Sequence, residues 1–313
     1  MKQKFNRFNI YPVMFHYVRN IKNSKYPNLK GLEFSKFKNQ ISYFKKNFNI
    51  LSPLEFLDVI ETKKFPKKKS IFLTFDDGYK DHYKYVFPYL VKKKISAAFY
   101  VPSKLLVDKK EILIANKIQF VLEKNIEKEK ILKFINKKLN LLFNDDIKYY
   151  FKYKKKIIPR FDDIETIFIK LLLQKFLKEK VRIKIVNDLF KKFVTSDYEK
   201  FHKELYLTNK EMSEMSSFKM HFGSHSHSHQ WMNKLTKKEQ YLEIIKSINI
   251  LKKNNDKNNF TSFTFPYGGF NKNTLSILND LKIKFAFTDQ YGGLNKKNIR
   301  DKFTIPRFDT NDI

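Results

Sequence analysis

A chain of 313 residues with 42% hydrophobic and 16% aromatic residues can fill one large α/β core or two ordinary ones, which excludes a disordered or fibrous protein. Cysteine is absent, so disulfides and thiolate chemistry are excluded and any metal must be held by His, Asp, Glu or water. The 64 basic against 32 acidic residues give a net charge of +32, but only six of the 64 are Arg and the Lys residues run through the whole chain. That pattern reads as a biased, solvated surface, with peripheral attraction to an anionic membrane as the second reading and no nucleic acid expected.

The N-terminal stretch Met1-Lys2-Gln3-Lys4-Phe5-Asn6-Arg7-Phe8 leads into no apolar run of signal-peptide length. No run approaches the ~20 residues of a spanning helix. The expectation is a cytoplasmic protein, membrane-peripheral at most. Short apolar runs bounded by turn or charged residues then read as buried strands: 11–15, 70–75 and 96–101, followed later by 220–222, 262–265, 285–288 and 303–305. Helical patterns lie between them at 34–46, 53–61, 81–93, 237–253 and 271–281. Strand and helix alternate, which predicts a parallel sheet, open or closed into a barrel. Residues at about 103–218 break the rhythm with helical periodicity at 112–122, 164–177 and 181–193, and are expected to form a helical insertion within one domain spanning 1–313.

Chemistry-bearing residues concentrate at three predicted strand ends. Thr74-Phe75-Asp76-Asp77-Gly78-Tyr79 offers two adjacent carboxylates, one able to bind a cation while the other acts as a base on water. The plain alternative is a cap for the helix at 81–93. Gly223-Ser224-His225-Ser226-His227-Ser228-His229 puts His225 and His229 four apart, on one side of either an extended strand or a helical turn; strict alternation would add His227. The alternative is a polar loop whose histidines cap a helix starting near Leu235-Thr236. Phe263-Thr264-Phe265-Pro266-Tyr267-Gly268-Gly269 is a strand running into a Pro-aromatic-Gly turn, able to offer a backbone donor to an oxyanion and an aromatic to a sugar, or simply to join strand to helix.

Asp-Asp-Gly, His-x-x-x-His and Pro-Tyr-Gly in this order resemble the motifs of the polysaccharide deacetylases, the NodB-homology carbohydrate esterases. The resemblance covers roughly 70–104 and 205–308 plus a short N-terminal piece. It implies a distorted (β/α) barrel of the NodB-homology type with a helical insertion. It also implies Asp76 as general base, Asp77, His225 and His229 as ligands of a divalent metal such as Zn²⁺, Ser226 as a loop anchor, and Pro266 and Tyr267 at the substrate. Two family elements are displaced. The Arg that precedes the Pro-Tyr in many members, and that orients the base, is replaced by Thr264-Phe265; Arg307 in Ile305-Pro306-Arg307-Phe308-Asp309 is the candidate substitute. No C-terminal Leu-x-His is present, and Val13-Met14-Phe15-His16-Tyr17 resembles the N-terminal element of a rearranged branch, making His16 the candidate acid.

The function so implied is hydrolytic deacetylation of an N-acetylated sugar or glycan, an intermediate of surface-polysaccharide biosynthesis. Its rivals are a non-catalytic carbohydrate-binding homologue and a basic lipid- or nucleic-acid-binding protein.

Overall fold

The computed structural model describes residues 7–159, 162–253 and 260–313. They divide into two compact units: the described parts of Met1–Asn20, Gly31–Glu111 and His202–Ile313, and those of Ile21–Lys30 and Ile112–Phe201. The cytoplasmic expectation rests on the N-terminal stretch, of which Met1–Asn6 lie outside the described residues.

In the first unit seven parallel strands form a closed barrel: β1 (Ile10–Phe15), β2 (Ser70–Phe75), β3 (Ala98–Val101), β4 (His221–Ser224), β5 (Phe263–Thr264), β6 (Ala286–Tyr291) and β7 (Ile305–Asp309). Each pairs with the next in sequence, and β7 returns to β1 through Val13↔Phe308. The expected barrel is therefore present, with its helices outside. β1 and β2 are buried on both faces, which is why they read as predominantly apolar runs. Alternation still sorts their side chains: Ile71, Leu73 and Phe75 pack with Phe37, Ile41 and Phe44 of the helix Phe34–Asn47. On the opposite face Phe72 stacks on Phe56 at 4.1 Å, and the same parity carries Thr74 and then Asp76 toward the barrel mouth.

Two expectations shift. The last strand is not 303–305 but Ile305–Asp309, because Pro306 reads as a strand breaker yet sits at a register shift between Ile305 and Arg307, where its missing N–H costs nothing. The helix expected at 81–93 opens as a π-turn, His82–Val86, before the α-helix Phe87–Lys92. Pro88 cannot donate to the carbonyl four residues back, and the Phe87 N–H reaches His82 O instead.

The second unit is helical: Ile114–Glu123, Lys128–Phe143, Ile164–Leu171 running into a π-turn at Leu172–Phe176, and Glu179–Phe193. Its core is aliphatic and aromatic, with Ile131, Ile135, Leu139, Phe168, Ile185, Leu189 and Phe190 buried. The segment 21–30 joins it through Tyr26, whose ring meets Phe120 at 4.7 Å. Among the described residues no helix is long and apolar enough to cross a membrane.

Candidate active site

Because all seven strands run parallel, their C-terminal ends form one rim. His16 follows β1, Asp76 and Asp77 follow β2, His225 follows β4, Pro266 follows β5, and Arg307 lies within β7.

The pair of carboxylates leaves β2 in divergent directions. Asp76 keeps the strand's alternation and is tied by its N–H to the carbonyl of Phe15, the last residue of β1 before His16, at 2.9 Å. Its carboxylate is held in a two-pronged grip by Arg307, Nη1 to Oδ1 at 2.9 Å and Nη2 to Oδ2 at 2.8 Å, with both side chains 2% exposed. Arg307 is itself fixed by Nε–H donating to Thr288 O at 3.0 Å and Nη1 to Thr74 Oγ1 at 3.2 Å. Burial works against the Asp76 charge, but the guanidinium, followed by His225, outweighs it and holds the carboxyl below its ordinary value. Neither Asp caps the following helix; Asp81 stands at that position, and the Asp76 and Asp77 side chains are engaged elsewhere.

At Asp77 the backbone turns left-handed, φ 71°, and Gly78 follows at φ 64° with Val101 so close that a Cβ would meet it at 2.8 Å. The turn aims the Asp77 carboxylate away from Asp76. Oδ2 accepts from Tyr79 Oη at 2.6 Å, and Tyr17 stacks on the Tyr79 ring at 4.0 Å. Oδ1 is buried without a hydrogen bond and faces His229 Nε2 at 3.4 Å and His225 Nε2 at 3.6 Å. Burial opposes this charge too, yet the two imidazoles and His16 hold the Asp77 carboxyl far below the usual range.

His225 continues the parity of His221 and Gly223 off β4 and presents Nδ1 to Thr264 O at 2.9 Å and Thr264 Oγ1 at 2.6 Å. A carbonyl only accepts, so Nδ1 carries the hydrogen and Nε2 is left as a lone pair. Burial, reinforced by His229, pushes His225 down to about 4 and keeps it neutral. Ser226 then turns left-handed, φ 60°, and its Oγ accepts the His229 N–H at 3.0 Å. His229, also left-handed at φ 57°, brings its Nε2 to 3.2 Å from that of His225. The turn at Ser226 breaks the alternation, which removes His227 from the group; its Nδ1 goes to Ser103 Oγ at 2.8 Å instead. Nor do the histidines cap the next helix, Lys237–Lys252, which Thr236 and Glu239 close with a reciprocal capping box.

Tyr267, left-handed at φ 55°, lays its ring edge against His229 at 4.7 Å and stacks on Trp231 at 4.9 Å and 10°. Four of the ten described non-glycine residues with positive φ, Asp77, Ser226, His229 and Tyr267, therefore gather here, and such strain concentrates where side chains must be aimed.

Donors from Asp77, His225 and His229 lie within 4.8 Å of one another, all three residues buried. The His225 Nε2 lone pair, His229 Nε2 and the orphaned Asp77 Oδ1 face one another at 3.2–3.6 Å, an arrangement that calls for a proton or a cation among them. One carboxylate and two neutral imidazoles suit Zn²⁺ and similar divalent ions and leave positions open. The residues fit such a metal. Reading the sequence assigned no role to Tyr79, Tyr17 or Thr288 and marked Thr264 only as a position lacking the family Arg; of the first three, Tyr79, two residues from Asp77 in the motif, carried a local signal. Removing the Tyr79 hydroxyl in Tyr79→Phe should weaken divalent-metal affinity about 10- to 100-fold, as loss of a hydrogen bond to a ligand does elsewhere. Competition with a chelating dye measures it, and unchanged affinity would deny the bond that role.

Residues 63–137 and 153–286 match the family model described as polysaccharide deacetylase. Among solved structures, a Streptococcus pyogenes deacetylase, PplD, in complex with acetate aligns at TM-score 0.56 and 18% identity, covering 96% of this chain and 91% of that one. IcaB from Ammonifex degensii aligns at 0.54 and 16% over 96% and 91%, and the BpsB deacetylase domain from Bordetella bronchiseptica at 0.53 and 14% over 96% of each. These likenesses establish a shared fold. No curated protein sequence matches the chain.

Proposed function

Since the chain belongs to the polysaccharide deacetylase family, we propose that it removes the acetyl group from an N-acetylated sugar by metal-dependent hydrolysis, with Asp77, His225 and His229 as the metal ligands. The observation that carries this reading is the buried convergence of Asp77 Oδ1 with the two Nε2 atoms. A divalent ion such as Zn²⁺ bound there would supply Lewis acidity toward water and the acetyl oxygen.

In this reading the protein's own groups divide the remaining work. Asp76, kept ionised by Arg307, takes the proton of the attacking water as its oxygen bonds to the amide carbon. His16, held by its carbonyl to the His82 Nε2–H at 2.8 Å, gives a proton to the nitrogen as the C–N bond breaks. His82 is suited to that hold because burial pushes it down to about 4, so it stays neutral with one ring hydrogen to donate. The turn at Pro266 and Tyr267 borders the site through the Tyr267 ring and is assigned to substrate contact. Acetate and an amino sugar leave. The grip of Arg307 on Asp76 answers the displaced family Arg and supports catalysis over a sugar-binding homologue without activity.

The helical unit is read as an insertion and is assigned no chemistry. For the substrate, an intermediate of surface-polysaccharide assembly on an anionic lipid or nucleotide carrier suits the +32 charge. Acetate release from carrier-linked N-acetyl sugars should exceed that from the free monosaccharide, and the gap should narrow as salt rises. Equal turnover of carrier-linked and free sugar at all salt concentrations would remove the anionic carrier from the proposal.

A further inference from the structure

The helical unit carries a surface that the deacetylase site does not use. Leu141 and Leu142 end the helix Lys128–Phe143, and the chain continues through Ile147–Tyr150 and Phe151–Lys154 to Pro159. Of thirteen exposed large hydrophobic residues among those described, five lie in these nineteen positions: Leu141 at 69%, Leu142, Tyr149 at 69%, Phe151 and Ile158 at 88%. Exposed apolar side chains this close together along the chain single the segment out, whereas scattered ones need no explanation.

Its charge says what the surface fits. Lys148, Lys152, Lys154, Lys155 and Lys156 fall in the same stretch with aromatic residues between them, and no acid occurs from 147 to 159. The two acids just before are occupied within the segment: Asp145 Oδ2 accepts from Tyr150 Oη at 2.7 Å, and Asp146 Oδ1 accepts from the Lys148 N–H at 2.8 Å. Only Lys154 of the five lysines pairs with a carboxylate among the described residues, Glu165 at 3.3 Å.

From this juxtaposition we infer that Leu141–Pro159 is a docking surface for an anionic phospholipid membrane. Leucine, isoleucine and tyrosine enter the headgroup boundary and the lysines meet lipid phosphates and carboxylates, the combination used by interfacial anchors. Phosphates of a nucleic acid would satisfy the lysines but leave Leu141 and Ile158 in water. The association so inferred is peripheral, at the headgroup boundary. It stands apart from the deacetylase reading, because none of these residues belongs to the site.

The test is partition of the full chain onto phosphatidylcholine vesicles with and without phosphatidylserine. Binding should require phosphatidylserine and fall as salt rises. A charge variant, Lys152→Gln with Lys155→Gln and Lys156→Gln, and an apolar variant, Leu141→Ser with Tyr149→Ser and Ile158→Ser, should each lower partition at least about tenfold. Both should keep wild-type circular dichroism and melting, since the altered side chains are on the surface. Equal binding to pure phosphatidylcholine, or wild-type partition by either variant, would overturn the inference. So would association with a single-stranded oligonucleotide that is tighter than vesicle binding and lost only in the charge variant.

Discussion

Arg307→Met should destabilise the protein by about 3–5 kcal/mol, because it strands the Asp76 carboxylate in the barrel mouth with the cost of burial unopposed. The native pair is bidentate and almost wholly shielded, so solvent does little to soften the loss. The pH dependence follows from the same pair. Asp76 titrates below its ordinary value in the folded state, so the pair contributes stability that is fully present above about pH 4 and is lost as pH falls through the lowered value. In Arg307→Met the guanidinium is gone and burial remains, so the carboxyl rises. The acid limb of the rate profile should then move to higher pH, since Asp76 serves as a base only when ionised. Arg307→Lys should recover part of the stability without the two-pronged geometry. Chemical denaturation and a pH–rate profile measure both effects; an acid limb that stays in place in Arg307→Met would separate Arg307 from Asp76 function.

Asp77→Ala should abolish tight metal binding and lower acetate release by at least about 10³-fold, the upper end of what one electrostatic donor commonly contributes. His225→Ala should do the same. Each removes one of three converging donors, and Asp77→Ala also removes the carboxylate that accepts from the Tyr79 hydroxyl. Asp76→Asn provides the contrast: its side chain is outside the donor group, so metal should stay bound while turnover falls. Metal content of the purified variants, measured beside their rates, tells these cases apart. Full turnover by metal-free Asp77→Ala would end the metal assignment.

What could be read in the sequence was local. Asp76-Asp77-Gly78 and His225-x-x-x-His229 carry their chemistry in adjacent letters, and β1 and β2 are apolar runs that mark themselves. The supports were harder to see because they come from elsewhere in the chain. Arg307 stands 231 positions from Asp76, and nothing in its own neighbourhood says which carboxylate it meets; barrel closure between β7 and β1 decides that. Thr264 was legible only as a family position lacking its Arg, whereas in the fold it fixes the His225 ring. His227 was ambiguous because alternation holds only while the strand lasts, and the left-handed turn at Ser226 ends it. Pro306 hid a strand that tolerates it at a register shift.

The most direct measurement is of metal content and acetate release on the same preparation, before chelation, after it and after a divalent ion is restored. Asp77, His225 and His229 holding one catalytic ion require about one ion per chain, loss of acetate release with the ion, and recovery with its return. Undiminished acetate release from chelated, metal-free protein would contradict the account at its centre.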